Sequence, residues 1–313
     1  MKHSPEEIGQ RMDALHVWGA LLPFNWAVKP SGTVFPYFCS VLKEEGGGLR
    51  VRFLMLEGWK TMHDYVRTRA DANFGFCSSP TELPHLEMIV LESGETALFR
   101  HDPGFLPVGA SDAQRELAAK ILWESYGIML RIESDPQLPM KYAEDRAVFA
   151  RVENPQGEWR DEPLVIPDPA PHVEKISFEK ADVKRAQDLP FESGSALEVD
   201  FRLIPGMGAG PQGARLRSVY QLIAVEPGAG APAIDMKATV PADGGIRQLW
   251  ESMPPRLLKA LVGRGRIPGE IKVQSGRVFR FLRPLCMELP FKLSLHDSLP
   301  ELRSSGIPGK GLP

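Results

Sequence analysis

The stretch Gly269–Leu295, "GEIKVQSGRVFRFLRPLCMELPFKLSL", changes its hydrophobic period twice. "GEIKV" alternates: Ile271 and Val273 are set to face a core, while Glu270, Lys272 and Gln274 are set to face water, as in a half-buried strand. "GRVFRFLRPLCMEL" moves to helical spacing, with Val278, Phe281, Leu282 and Leu285 on one stripe. "FKLSL" then returns to a strand pattern. Strand, helix and strand in close succession predict a β-α-β unit with parallel strands and a right-handed crossover.

Working back toward the N-terminus, "GGIRQLWESMPPRLLKALVGRG" reads as mostly helical, with Pro254-Pro255 either breaking it or starting a second segment. Ahead of it lie three strand patterns, "ALEVDFRLI", "RLRSVYQLIAV" and "AIDMKATV", separated by Gly-rich loops, and a short charged helix, "SFEKADVKRAQDL". The segment "EPLVIPDPAPHVEK" carries Pro163, Pro167, Pro169 and Pro171. Proline removes ladder donors and stiffens a chain toward polyproline II, which places the junction of two domains here: 1–166 and 172–313.

In the first domain, Ser4, Pro5 and Glu7 form a capping-box signal for a helix from Pro5 to Leu22, with Ile8, Met12, Leu15, Trp18 and Leu22 on its apolar face. Three hairpins are expected: "TVFPYFCSVL" with "LRVRFLML", "HLEMIVLE" with "TALFRHD", and "AVFARVE" with "EWRDEPLVI". Between them fall two helices. "EGWKTMHDYVRTRAD" sets Trp59, Met62, Val66 and Ala70 on one face and Lys60, Asp64 and Arg67 toward solvent; a longer one runs from Asp112, capped by Ser111, until Asp135-Pro136 stops it. The expected class is α+β: two domains of antiparallel hairpins with helices packed on one face, the second ending in the β-α-β unit.

At 313 residues and 43% hydrophobic, the chain can bury two ordinary cores. A net charge of −3 gives no whole-molecule field toward nucleic acid or membrane. Cys39, Cys77 and Cys286 lie far apart and form no CxxC pair, so a reducing compartment is expected. "MKHSPEEIGQ" lacks the apolar run of a signal peptide and no window of about 18 apolar residues occurs, so the expectation is a soluble, cytoplasmic protein with no membrane partner.

Three histidines precede aspartate: His63-Asp64, His101-Asp102 and His296-Asp297. Each has a local reading. His63 borders a helix face, with Lys60 and Arg67 as partners for Asp64; His101-Asp102 leaves a strand for a "DPG" turn; Asp297 is placed to cap a short final helix. "IPGMGAGPQGARLRSVYQLI" opens into a strand rather than a helix, which suits a hairpin loop and not a phosphate loop. The Glu270-x-Lys272 spacing occurs in metal nucleases, but those need an acid on an adjacent strand, and the nearest in sequence, Asp243, lies across a helix. No catalytic set, metal site or cofactor is read from these patterns.

The regional charge is more informative. From Arg247 to Arg283 nine Lys/Arg stand against Glu251 and Glu270, and Arg256, Lys259, Arg264, Arg266, Arg277 and Arg280 are the candidate polyanion-binding residues. Cations at a helix C-terminus and on a solvated helix face account for the same pattern.

The stretches "LEGWKTMHDYV", "NFGFCSSPTELPHLEMIV", "FRHDPGFLP" and "ILWESYGIMLRIE", and later "GEIKV" and "LRPLCMELPFKLSLHDSLPEL", resemble uncharacterised bacterial proteins of the domain-of-unknown-function type. The resemblance implies two consecutive α+β domains of unassigned role. The leading expectation is a non-enzymatic cytoplasmic binding or accessory protein, with a protein partner or polyanion as its ligand. Nucleic-acid or other polyanion binding through 247–283 comes second, and a metal-dependent hydrolase using His63, Asp64 or His101 third.

Overall fold

The computed structural model describes residues 3–15, 26–43, 49–70, 82–142, 146–170 and 174–304. Its strands form two sheets. The first is built from β1 (Trp26–Lys29), β2 (Tyr37–Lys43), β3 (Leu49–Glu57), β4 (His85–Leu91), β5 (Thr96–His101), β6 (Val108–Gly109), β7 (Ala147–Glu153) and β8 (Trp159–Val165), in the order β6-β5-β4-β3-β2-β1-β7-β8. The three expected hairpins, β2-β3, β4-β5 and β7-β8, are all present, and β1 joins them by pairing antiparallel with β2 and parallel with β7. Pro163 sits in β8, at the sheet edge, where a missing ladder donor is tolerated.

Both faces of this sheet carry buried apolar residues because both are covered. Trp26, Val28, Cys39, Val41, Phe53, Met55, Met88 and Val90 pack against α1 (Pro5–Asp13) and α3 (Asp112–Ser134), through Ile8, Met12, Ile121, Leu122, Ile128 and Met129. The residues between them in the chain, Ala27, Phe38, Leu54 and Leu56, meet Met62 and Tyr65 of α2 (Gly58–Ala70) on the other side. The buried indole of Trp26 donates to Ser125 Oγ of α3 at 2.8 Å.

The capping signals at Ser4 and Ser111 are realised as full capping boxes with Glu7 and Gln114. Ser111→Ala is expected to lower stability by about 1 kcal/mol, seen as a lower urea midpoint at unchanged slope. Two expectations are corrected. The first helix ends at Asp13, where Leu15 N–H turns back to the Met12 carbonyl, and Trp18 and Leu22 lie outside the described residues. On α2 the buried position is Tyr65 rather than Val66, because the Tyr65 hydroxyl reaches Ser40 Oγ of the sheet at 3.0 Å, while Val66 is exposed.

The second sheet contains β9 (Phe191–Ala209), β10 (Arg217–Val225), β11 (Pro232–Ala238), β12 (Ile267–Val273) and β13 (Lys292–Leu295), in the order β11-β10-β9-β12-β13. β9, β10 and β11 form an antiparallel meander, whereas β12 runs parallel to both β9 and β13. Helix α7 (Gly276–Glu288) links β12 to β13, so the β-α-β unit is as expected, with Ile271 and Val273 fully buried. Gly269 is needed where β12 approaches β9: a Cβ there would stand 2.3 Å from the Ser193 carbonyl oxygen.

The helical run between β11 and β12 divides into α5 (Ile246–Glu251) and α6 (Met253–Arg264). Pro254-Pro255 opens the second segment, and Gly265, at φ 74°, closes it. α5, α6 and α7 pack with α4 (Lys180–Gln187) on one face of the sheet, around Phe201, Tyr220, Trp250, Leu258, Ile271 and Phe281. The opposite face is capped by α8 (Pro300–Ser304), through Ile223, Val225, Leu299 and Leu302. Among the described residues no helix is long and apolar enough to cross a membrane.

The two sheets are joined by contacts beyond the chain that runs between them. After β5 the chain runs beside the start of β10: Leu106 N–H donates to the Leu216 carbonyl at 3.0 Å, and Ser218 N–H donates to that of Gly104 at 2.9 Å. Asp102 pairs with Arg215, and Glu82 accepts from Trp250 Nε1 at 3.1 Å and from Arg277.

Candidate functional site

Alternation along β4 sends Leu86, Met88 and Val90 into the α1–α3 core, which leaves His85 and Glu87 on the opposite face. The β4-β5 register sets His85 directly opposite His101. The two imidazoles stack with centroids 4.2 Å apart and planes 13° from parallel. Glu87 lies diagonally between them, with Oε2 2.6 Å from His101 Nε2 and Oε1 2.5 Å from Arg52 Nε of β3. His85, Glu87 and His101 are only 4 to 5% exposed.

This buried group is short of hydrogen bonds. His85 Nδ1 meets the Leu83 carbonyl at 2.8 Å, which fixes the proton there and leaves Nε2 as a bare lone pair. The His101 ring is close to Glu87 but poorly aligned with it. Three of the six buried side-chain nitrogens without a hydrogen-bond partner among the described residues are His85 Nε2, His101 Nδ1 and His101 Nε2. An orphan buried polar atom costs about 1–3 kcal/mol, so such a concentration marks a place where the fold gives up stability.

Electrostatics leave one ring neutral and the carboxylate ionised. Burial, reinforced by His101, pushes the His85 ring down to about 3, so it is neutral at physiological pH. Burial pushes Glu87 up, but His101 and Arg52 outweigh it and hold the carboxyl at about 2. One ligand atom from each of His85, Glu87 and His101 lies within 4.8 Å of the others. Imidazole nitrogen with carboxylate oxygen is a donor set for divalent transition metals of borderline softness.

The residues singled out in the sequence fall elsewhere, His101 excepted. Asp64 is held by Lys60 and Arg67 as expected, and His63 stays on α2, outside the cluster. His101 does more than end a strand before a turn, since it completes the buried group, while Asp102 pairs with Arg100 and Arg215. Asp297 does not cap α8: the Leu302 N–H is taken by Glu198 Oε2 at 3.0 Å. The acid next to Glu270-x-Lys272 is Glu198, opposite Lys272 in the register, not Asp243. Glu198 is spent on that cap, and Glu270 is bonded to Ser294 and Lys292.

Of the basic residues, Arg264 and Arg266 converge on Glu226, Arg266 also meets Glu192, and Arg277 stacks 3.6 Å from the Trp250 ring while pairing with Glu82. Arg256 donates to Ser252 Oγ, Lys259 approaches Asp182 at 3.9 Å, and Arg280 is exposed on α7. A cavity of about 520 Å³ between α4 and α6 is lined by Asp182, Arg185 and Lys259, where Arg185 also pairs with Asp182. Sequence reading missed His85 and Glu87. The signal was there: a hairpin centred near Ser93 sets His85 against His101.

Residues 182–304 are similar to a domain of unknown function, DUF6930. That region holds the meander, the β-α-β unit and the basic stretch, whereas His85, Glu87 and His101 precede it. No curated protein and no solved structure matches the chain.

Proposed function

We propose that the chain is a cytoplasmic metal-binding protein, holding one divalent transition-metal ion through His85 Nε2, Glu87 and a ring nitrogen of His101. The observation that carries this reading is the convergence of three buried ligand atoms within 4.8 Å, in a group where His85 Nε2 and both His101 ring nitrogens make no well-aligned hydrogen bond. Outer contacts support it: Leu83 fixes the His85 tautomer and Arg52 orients the Glu87 carboxylate, the type of support that metal ligands receive. Ligand atoms around Zn²⁺ sit roughly 3.4 Å apart, so His101 Nε2 and Glu87 Oε2, now 2.6 Å apart, part slightly while the wider separations, none above 4.8 Å, close. The stacked planes cannot both contain one ion, so binding turns one ring out of the stack.

Burial of all three groups shuts out a substrate, which favours a binding or accessory role over an enzymatic one. The Cys39 thiol, pushed up to about 12 by burial, is likewise unsuited to nucleophilic work. Polyanion binding by 247–283 has less support, because Arg264, Arg266 and Arg277 are engaged by carboxylates of the same chain.

Metal-stripped protein titrated with Zn²⁺ in a calorimeter, or with Co²⁺ in an absorbance cell, tests the reading. One ion per chain is expected, with His85→Ala and His101→Ala each weakening it about 100-fold and Arg52→Met about 10- to 100-fold. Wild-type affinity no better than that of the double histidine variant overturns it.

A further inference from the structure

We infer that this metal site is the joint that sets how the two halves of the chain dock, so that ion binding and docking strengthen one another. The inference rests on the metal-binding reading. It comes from where the two histidines lead along the backbone.

His101 is the last residue of β5, and the next residue, Asp102, pairs with Arg215. Within five residues of His101 the chain is bonded to the second sheet, by Gly104 to Ser218 and by Leu106 to Leu216. Arg215 also lies 5.1 Å over the Phe105 ring and donates to the Leu106 carbonyl at 3.2 Å. His85 leads the other way. Its Nδ1 is bonded to the Leu83 carbonyl, and the neighbouring Glu82 is held by Trp250 Nε1 and Arg277. One histidine is therefore tethered to the start of β10 and the other to α5 and α7.

The Glu82 tether is buried, and the chain after Asp102 is tightly packed at Gly104. Glu82 is 8% exposed and Trp250 1%, and a Cβ on Gly104 would stand 2.2 Å from Val240 of the second half, so the contact there has no slack. An ion that brings His85, Glu87 and His101 to ligand spacing moves both histidines and so acts on both tethers at once. Linkage then requires the reverse: whatever holds Glu82 and Asp102 in place raises affinity for the ion by the same factor.

The amides of Leu106 and Ser218, which close the seam, are the reporters. Hydrogen exchange of the full-length protein, followed by mass spectrometry with and without saturating Zn²⁺, should show their peptides exchanging about tenfold more slowly with the ion. In the reciprocal arm, Glu82→Gln with Asp102→Asn should weaken Zn²⁺ binding by about 5- to 150-fold, the usual range of coupling between sites. Arg215→Gln, which cuts the Asp102 tether alone, should give a smaller loss and serves if the double variant does not fold. Stoichiometric Zn²⁺ binding with unchanged exchange at the seam overturns the joint and leaves the metal site standing. Failure of wild type to bind Zn²⁺ overturns both.

Discussion

Trp250→Ala is expected to cost about 5 kcal/mol of folding stability, a third or more of what a domain of ordinary stability possesses. The indole is 1% exposed and is the hub of the second core, edge-on to Phe201 at 4.8 Å and tilted against Phe281 at 5.5 Å. Truncating a buried aromatic typically costs about 3–5 kcal/mol through lost transfer energy and the cavity left behind. Two further losses add to this. The Arg277 guanidinium loses the ring face it stacks on, and Glu82 loses the Nε1–H donor while remaining buried. Trp250→Phe separates the contributions, since it keeps most of the packing and removes the donor, for an expected cost of about 1–3 kcal/mol. Guanidinium-induced unfolding of both variants provides the check. A cost below about 2 kcal/mol for Trp250→Ala would mean that Trp250 is not the hub of that core.

Trp250 also shows where sequence reading stops. Its helix, the Pro254-Pro255 restart and the Gly265 stop could be read locally, because caps and periodicity act within a few residues. The β-α-β unit and the three hairpins were legible for the same reason. What Trp250 binds was not, since Glu82 lies 168 residues away. The basic stretch shows the same limit: nine cations in 247–283 stand out in the sequence, but Arg277 finds its carboxylate 195 residues upstream, Arg266 at 74 and Arg264 at 38. A regional charge reads as an open surface until the fold supplies its partners.

The candidate site was hidden differently. "HLEMIVLE" alternates cleanly, and an alternating strand with His85 and Glu87 on one face reads as half-solvated. In the structure both residues are buried, in a sheet that carries Arg52 on β3 and His101 on β5 to either side of them. The hairpin register was available from its turn. The burial was not, because it follows from packing on a face that sequence alternation assigned to water.

Glu87→Ala is expected to cost about 3–5 kcal/mol, because it leaves the Arg52 guanidinium and the His101 ring in the sheet without their carboxylate. The more telling variant removes both charges. Buried ion pairs rarely repay their desolvation, and apolar residues of similar volume are often neutral or stabilising by about 1–4 kcal/mol. Arg52→Met with Glu87→Leu should therefore recover most of the stability that Glu87→Ala loses, as read from urea midpoints. If the network existed only to hold the sheet together, the story would end there. On the metal-binding reading it does not, because the double variant has lost a ligand and the group that orients it, and its Zn²⁺ affinity should fall at least as far as that of either histidine variant. A chain that keeps most of its stability and loses its ion in one step would show that the charges are present for the ligand and not for the fold. A double variant that binds Zn²⁺ as the wild type does would remove Glu87 from the ligand set.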